Sequence, residues 1–138
     1  MNKRFIEAER WFRQAKESLK AAKDLKEKGH FNWVCFIAQQ SAEFAIKAVY
    51  ELRGEPVEWI HSLTVLIKGD KKRGISGIKE LLDCIESAKL LDKVYIPTRY
   101  VNSVPYGAPF EFYDKGDAEE CLLAAEKILK SVKRLLST

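Results

Sequence analysis

Apolar residues recur in alternating three- and four-residue steps from the start of the chain. Phe5, Ala8, Phe12, Ala15, Leu19 and Ala22 form a seam flanked by Trp11, Ser18 and Leu25, which predicts an amphipathic helix facing a partner helix. Gly29 ends it, because a residue without Cβ takes the left-handed conformation at a helix C-terminus. A second helix is expected from Phe31 to Arg53, closed by Gly54, and so short a link makes the two antiparallel. Further on, "HSLTVLI" predicts a short helix opening near His61. "ISGIKELLDCIESAKLL" predicts a fourth, with Ile75, Ile78, Leu81, Leu82, Ile85 and Leu90 on one face. From Lys115 to Leu136 the seam returns at Ala118, Cys121, Leu122, Ala125, Ile128, Leu129, Val132 and Leu135. No useful run alternates as a strand does. The expected fold is all-α, an antiparallel up-and-down bundle of four to five helices in a single domain, residues 1–138.

Residues 92 to 116 break the helical pattern. They hold Pro97, Pro105 and Pro109 and six aromatics, Tyr95, Tyr100, Tyr106, Phe110, Phe112 and Tyr113. Each proline lacks a donor and restricts the residue before it, so helix is excluded over most of the segment. With that much aromatic surface to bury, it is expected to lie across the bundle as an ordered strap. Trp33 and Trp59 are likewise read as core residues.

Composition narrows the class. Apolar residues make up 46% and charged residues 32%, as in soluble globular proteins. No apolar run approaches the roughly 18 residues of a membrane span, and "MNKRFIEAERW" lacks the apolar core of a secretory signal. A cytoplasmic protein without membrane contact is expected. Cys35, Cys84 and Cys121 are far apart and read as buried thiols; with two histidines in the chain, neither metal nor cofactor is expected. Net charge is +4, which permits an anionic partner without requiring one. Arg13, Lys16, Lys20 and Lys23, and Lys127, Lys130 and Arg134, read as solvated stripes. The loop "KGDKKRG" is more concentrated, in the manner of the mobile basic loops common on protein surfaces.

The second helix carries the candidate chemistry. Gln39, Glu43 and Lys47 follow i, i+4, i+8 and share a face with Gln40 beside them. One reading is a solvated stripe with a helix ion pair of about 0.2–0.5 kcal/mol. The other is a wall of a polar groove, because the helix is apolar nearly all round. His61 precedes a predicted helix N-terminus, where the dipole favours neutral imidazole; it is either a structural histidine or an acceptor and base. Arg99 stands mid-strap, as a fork for phosphate or carboxylate or as a salt bridge to Glu43.

"AQQSAEFAIKA", "HSL", "YIPTRY" and "DAEECLLAAEKIL", in that order, resemble the HEPN family over nearly the whole chain. The resemblance implies a bundle of four or five helices, a homodimer, and a minimal nucleotidyltransferase as partner in toxin–antitoxin pairs. Active members are metal-independent ribonucleases whose signature is Arg, four to six residues, then His. Arg99 matches the Arg, but Val104, Pro105 and Tyr106 stand where the His belongs, and His30 and His61 lie upstream. Val101 replaces the proline that often follows "RY", and Tyr106 holds the spacing of a tyrosine that some partners adenylylate. RNA cleavage without metal needs a base near neutral pH, a role open to His61 only if the fold brings it to Arg99.

Gln39, Gln40, Glu43, Lys47, His61, Arg99 and Tyr100 are thus the expected ligand-binding residues, with Lys47 and Arg99 meeting an anion and Tyr100 stacking on a base. The expected function is nucleotide or RNA binding beside a nucleotidyltransferase partner. A ribonuclease toxin using His61 and Arg99 is the alternative, and a non-catalytic interaction module, its polar line an internal hydrogen-bond network bracing the strap, the third reading.

Overall fold

The computed structural model describes residues 2–57 and 59–137. Its helices are α1 (Lys3–Glu27), α2 (Phe31–Arg53), α3 (Leu63–Lys68), α4 (Ile85–Lys93) and α5 (Lys115–Leu136), and no strand occurs among the described residues. Local chemistry sets the ends. Asn2 caps α1 by accepting from the Arg4 N–H, Gly54 closes α2 at φ 74°, and Asp114 and Asp117 exchange side-chain and backbone bonds at the start of α5.

Alanines line the α1 seam, with Ala8, Ala15 and Ala22 almost wholly buried, so α1 and α2 approach closely along their length. Ser41, buried on α2, donates to the Ala15 carbonyl at 2.7 Å across that contact. α5 lies antiparallel to α1, as Lys23–Glu126 and Lys26–Glu119 ion pairs at 3.5 Å show. The core joins Val34, Ile46, Leu63, Leu66, Leu81, Leu91, Ile128 and Val132.

Several expectations are corrected. The fourth apolar segment is not one α-helix: Lys79–Cys84 is a 3-10 turn that runs into α4, and its tighter winding leaves Leu82 51% exposed. Trp33 and Trp59 are not core residues but 45% and 66% exposed. The basic loop is not a loose one. Asp70 and Ile75 form a backbone bridge around a 3-10 turn, Lys71–Arg73.

The strap between α4 and α5 is ordered by its backbone more than by its rings. Asn32 on α2 donates to the Thr98 carbonyl at 3.0 Å, and the Thr98 hydroxyl donates to the Val94 carbonyl at 2.6 Å. Pro109 is buried at the head of a 3-10 turn, Pro109–Phe112, packed on α2. Tyr95 and Tyr113 are half-buried, whereas Tyr100, Tyr106, Phe110 and Phe112 are exposed. The expected burial of all six rings does not occur.

Candidate functional site

Glu43 is the centre of the polar stripe and is 2% exposed. A carboxylate so far from water needs partners. Lys47 Nζ lies 2.9 Å from Oε2, Gln39 Nε2 donates to Oε1 at 3.2 Å, and His61 Nδ1 sits 3.1 Å from Oε2. Gln40 Nε2 donates to Gln39 Oε1 at 2.7 Å, extending the chain toward the surface. The stripe is thus a buried hydrogen-bond network, with Gln39 at 0% and Lys47 at 4% exposure. Lys47 faces Glu43, not solvent.

His61 is the network's outlet, with a side chain 48% exposed. Three restraints fix it. Its carbonyl accepts from Gln39 Nε2 at 3.1 Å, its Nδ1 faces Glu43, and its ring stacks on Tyr95 at 5.4 Å and 19°. A carboxylate only accepts, so Nδ1 donates to Glu43, and in the uncharged tautomer that this selects, Nε2 is the acceptor. The α3 N-terminus expected to act on His61 is filled otherwise: Ser62 is the cap, and Asp92 of α4 accepts from Ser62 Oγ and from the Leu63 and Thr64 N–H groups.

Arg99 reaches the same place from the strap. Its Nε and Nη2 donate to the Tyr95 carbonyl at 3.0 and 2.8 Å, a grip of the side chain on its own turn. The guanidinium carbon lies 4.2 Å from the Phe36 ring centre, 4.6 Å from Tyr95 and 4.8 Å from Tyr100. Arg99 therefore makes no salt bridge with Glu43, whose oxygens are taken by Gln39, Lys47 and His61. Two bonds to one carbonyl leave three of the fork's five N–H groups for an anion. Val104, in the slot of the family's His, is half-buried, and Tyr106 is 75% exposed.

The fold thus joins His61 and Arg99 through Tyr95, with Tyr100, 48% exposed, alongside. Gln39, Glu43 and Lys47 stand behind His61 as its support. Sequence reasoning missed Tyr95 as the shared ring and Phe36 as the floor under Arg99. Phe36 at i+3 from Trp33 on the outer face of α2 was the available signal, since their rings meet edge-on at 6.3 Å. His61 and Tyr100 are each about half exposed at this site. A groove of about 800 Å3 lies elsewhere, between α1 and α2, floored by Trp11 and Phe44. Among the described residues no cluster of His, Cys, Asp and Glu is placed to hold a metal ion.

Buried thiols and phenols elsewhere are held protonated. A hydrogen bond with Cys121, reinforced by burial, pushes the Cys35 thiol far above its usual range, and burial raises Cys84 and Tyr50. Tyr113 is pushed up to about 12, chiefly by burial.

These helices and their strap define a small α-helical bundle protein with a candidate site of one arginine, one histidine and several rings. The HEPN domain family model matches residues 8–135, and the chain belongs to the HEPN family. It is 32% identical over 136 residues to "Putative toxin MJ1304" of Methanocaldococcus jannaschii, covering 94% of this chain and 88% of that one. TT1696 from Thermus thermophilus superposes with a TM-score of 0.79 at 38% identity, over 92% of this chain and 96% of the other. ST0689, an archaeal HEPN homologue, gives 0.75 at 33% identity, over 94% and 97%. The Thermotoga maritima HEPN domain protein gives 0.65 at 30% identity, over 93% and 98%. No helix of the described residues is long and apolar enough to cross a membrane.

Proposed function

We propose that this HEPN protein has a toxin-like role and binds single-stranded RNA, or a nucleotide, across Arg99, Tyr100, Tyr95 and His61. The observation that carries the reading is Arg99, gripped by the Tyr95 carbonyl and flanked by three rings while keeping N–H groups for a phosphate. Exposed Tyr100 offers a face to a base, an interaction worth about 1–3 kcal/mol per base. The similarity to a relative named as a toxin supports the setting. Following the family resemblance, the protein works as a homodimer beside a nucleotidyltransferase partner. The exposed apolar strap residues Val101, Tyr106 and Phe110 would suit such assembly.

One observation favours a second reading, metal-independent RNA cleavage. Glu43 holds His61 in the orientation that leaves Nε2 able to take a proton, the arrangement a general base requires. Nε2 would take the 2′-hydroxyl proton, the 2′-oxygen would attack phosphorus, and the P–O5′ bond would break, the 5′-oxygen taking a proton from water, giving a 2′,3′-cyclic phosphate. Arg99 would meet the charge on the phosphate oxygens.

The test is binding and cleavage of single-stranded RNA in excess chelator by wild type, Arg99→Ala, Tyr100→Ala and His61→Ala. Binding that weakens roughly tenfold or more in Arg99→Ala and Tyr100→Ala is expected. Unchanged affinity in both would sink the site and leave a pure interaction module. Cleavage lost in His61→Ala while binding persists would make the protein a ribonuclease.

A further inference from the structure

The turn after α3 is built more firmly than its exposed residues require. Lys71, Lys72 and Arg73 bury nothing, yet the backbone around them is closed on itself. Asp70 N–H donates to the Ile75 carbonyl at 2.8 Å, Ile75 N–H to the Asp70 carbonyl at 2.9 Å, and Ile78 N–H to the Ile67 carbonyl at 2.8 Å. Two glycines at φ 84° and 82° allow this closure: a Cβ on Gly69 would lie 2.8 Å from the Ile75 carbonyl oxygen, and one on Gly77 2.9 Å from that of Lys68. Beneath them the fully buried Tyr50 donates to the Leu66 carbonyl at 2.7 Å and accepts from Gly77 N–H at 3.0 Å.

The charges on this frame are sorted. Asp70 takes Arg73 Nε at 2.8 Å and the Lys72 N–H at 3.1 Å, Glu80 faces Arg53 at 3.4 Å, and Glu55 accepts from Ser76 at 2.8 Å. Lys71, Lys72 and, at the end of α3, Lys68 are exposed. Lys68 shares the outer stripe of α3 with Thr64 and Val65, while Leu63, Leu66 and Ile67 point into the core. Six residues of helix span about 9 Å, so the turn lies at one end of α3 and His61 at the other.

We infer that this turn is a second RNA contact, holding the phosphate backbone of a strand whose base stacks at Tyr100 and Arg99. The inference rests on the RNA reading of that site. A frame already rigid loses little freedom on binding, so its lysines act as a preformed cradle. Its chemistry is sequence-blind, as point-charge contacts to phosphate are. An acidic protein is the competing ligand, and the position of the turn along α3 from the site favours RNA.

Equilibrium binding of radiolabelled tetra- and dodecaribonucleotides, between 50 and 300 mM salt, tests it on full-length wild type, Lys71→Ala/Lys72→Ala and Arg99→Ala. The double variant should bind the dodecamer roughly ten- to thirtyfold more weakly near 0.1 M salt, with a salt slope shallower by about 1.4. Its tetramer affinity should stay as in wild type, whereas Arg99→Ala should weaken both. Unchanged dodecamer affinity and slope in the double variant, with Arg99→Ala still defective, overturns the turn and leaves the site standing. Wild type that binds neither RNA overturns both. Polyglutamate bound by wild type and lost in the double variant, with RNA unaffected, assigns the turn to an acidic protein and overturns it too.

Discussion

At the scale of single residues, Glu43 is the side chain whose loss should be felt most. Glu43→Ala removes the buried carboxylate on which Lys47, Gln39 and His61 converge, at a cost of about 3–5 kcal/mol. Lys47→Met leaves Glu43 buried without its ammonium and should cost a similar amount, whereas Glu43→Gln/Lys47→Met removes both charges and should be milder. A denaturant midpoint showing Glu43→Ala near neutral would mean the pair is not the hub described. The thiols give a second expectation. Cys35 is held protonated against Cys121, and Cys84 by burial, so a thiol reagent should react only as the protein unfolds. Fast labelling of the native protein would contradict their burial. Tyr113 makes the third. Its folded pKa of about 12 exceeds the ordinary value of 10.0, so the folded state holds the proton where the unfolded chain releases it. The contribution to stability is whole below pH 10 and lost as pH rises from 10 to 12. Alkaline denaturation of Tyr113→Phe should lack that component. The Gln39, Glu43 and Lys47 spacing was legible because period alone puts them on one face. That the line is an internal network is one of several readings the sequence allows, and sequence could not choose it because its partner His61 stands 18 residues from Glu43.

At the scale of elements, the long helices and the short α3 follow from their sequences, and the fourth apolar segment does so only in part. α2 and α5 begin and end where apolar period, Gly54 and the Asp114 cap put them. Residues 75–91 carry the same period, but Lys79–Cys84, directly after the closed basic turn, winds as 3-10 before α4 starts. Leu82→Ser should therefore change stability by no more than about 0.5 kcal/mol, as an exposed position does. Gly77→Ala should cost about 2 kcal/mol or more in thermal unfolding, since its Cβ would strike Lys68 backbone at positive φ. A harmless Gly77→Ala would mean the turn can relax. Prolines mark the strap as non-helical, but its anchoring comes from Asn32 and Thr98, whose pairing across 66 residues leaves no local signature.

At the scale of the molecule, the bundle places two distant segments side by side. His61 arrives on the lead-in to α3 and Arg99 on the strap, and Tyr95 is where they meet. The ingredients were legible in the residues, their junction was not, because a shared ring is a property of the packed fold. Trp33 adds a consequence. It is 45% exposed and stands edge-on to Phe36, the ring on which Arg99 rests. Its indole is thus an optical reporter built into the site's edge: a base settling against Arg99 should alter its emission, and Trp59→Phe would remove the other strongly exposed indole. The protein can then signal its own occupancy, with no label attached.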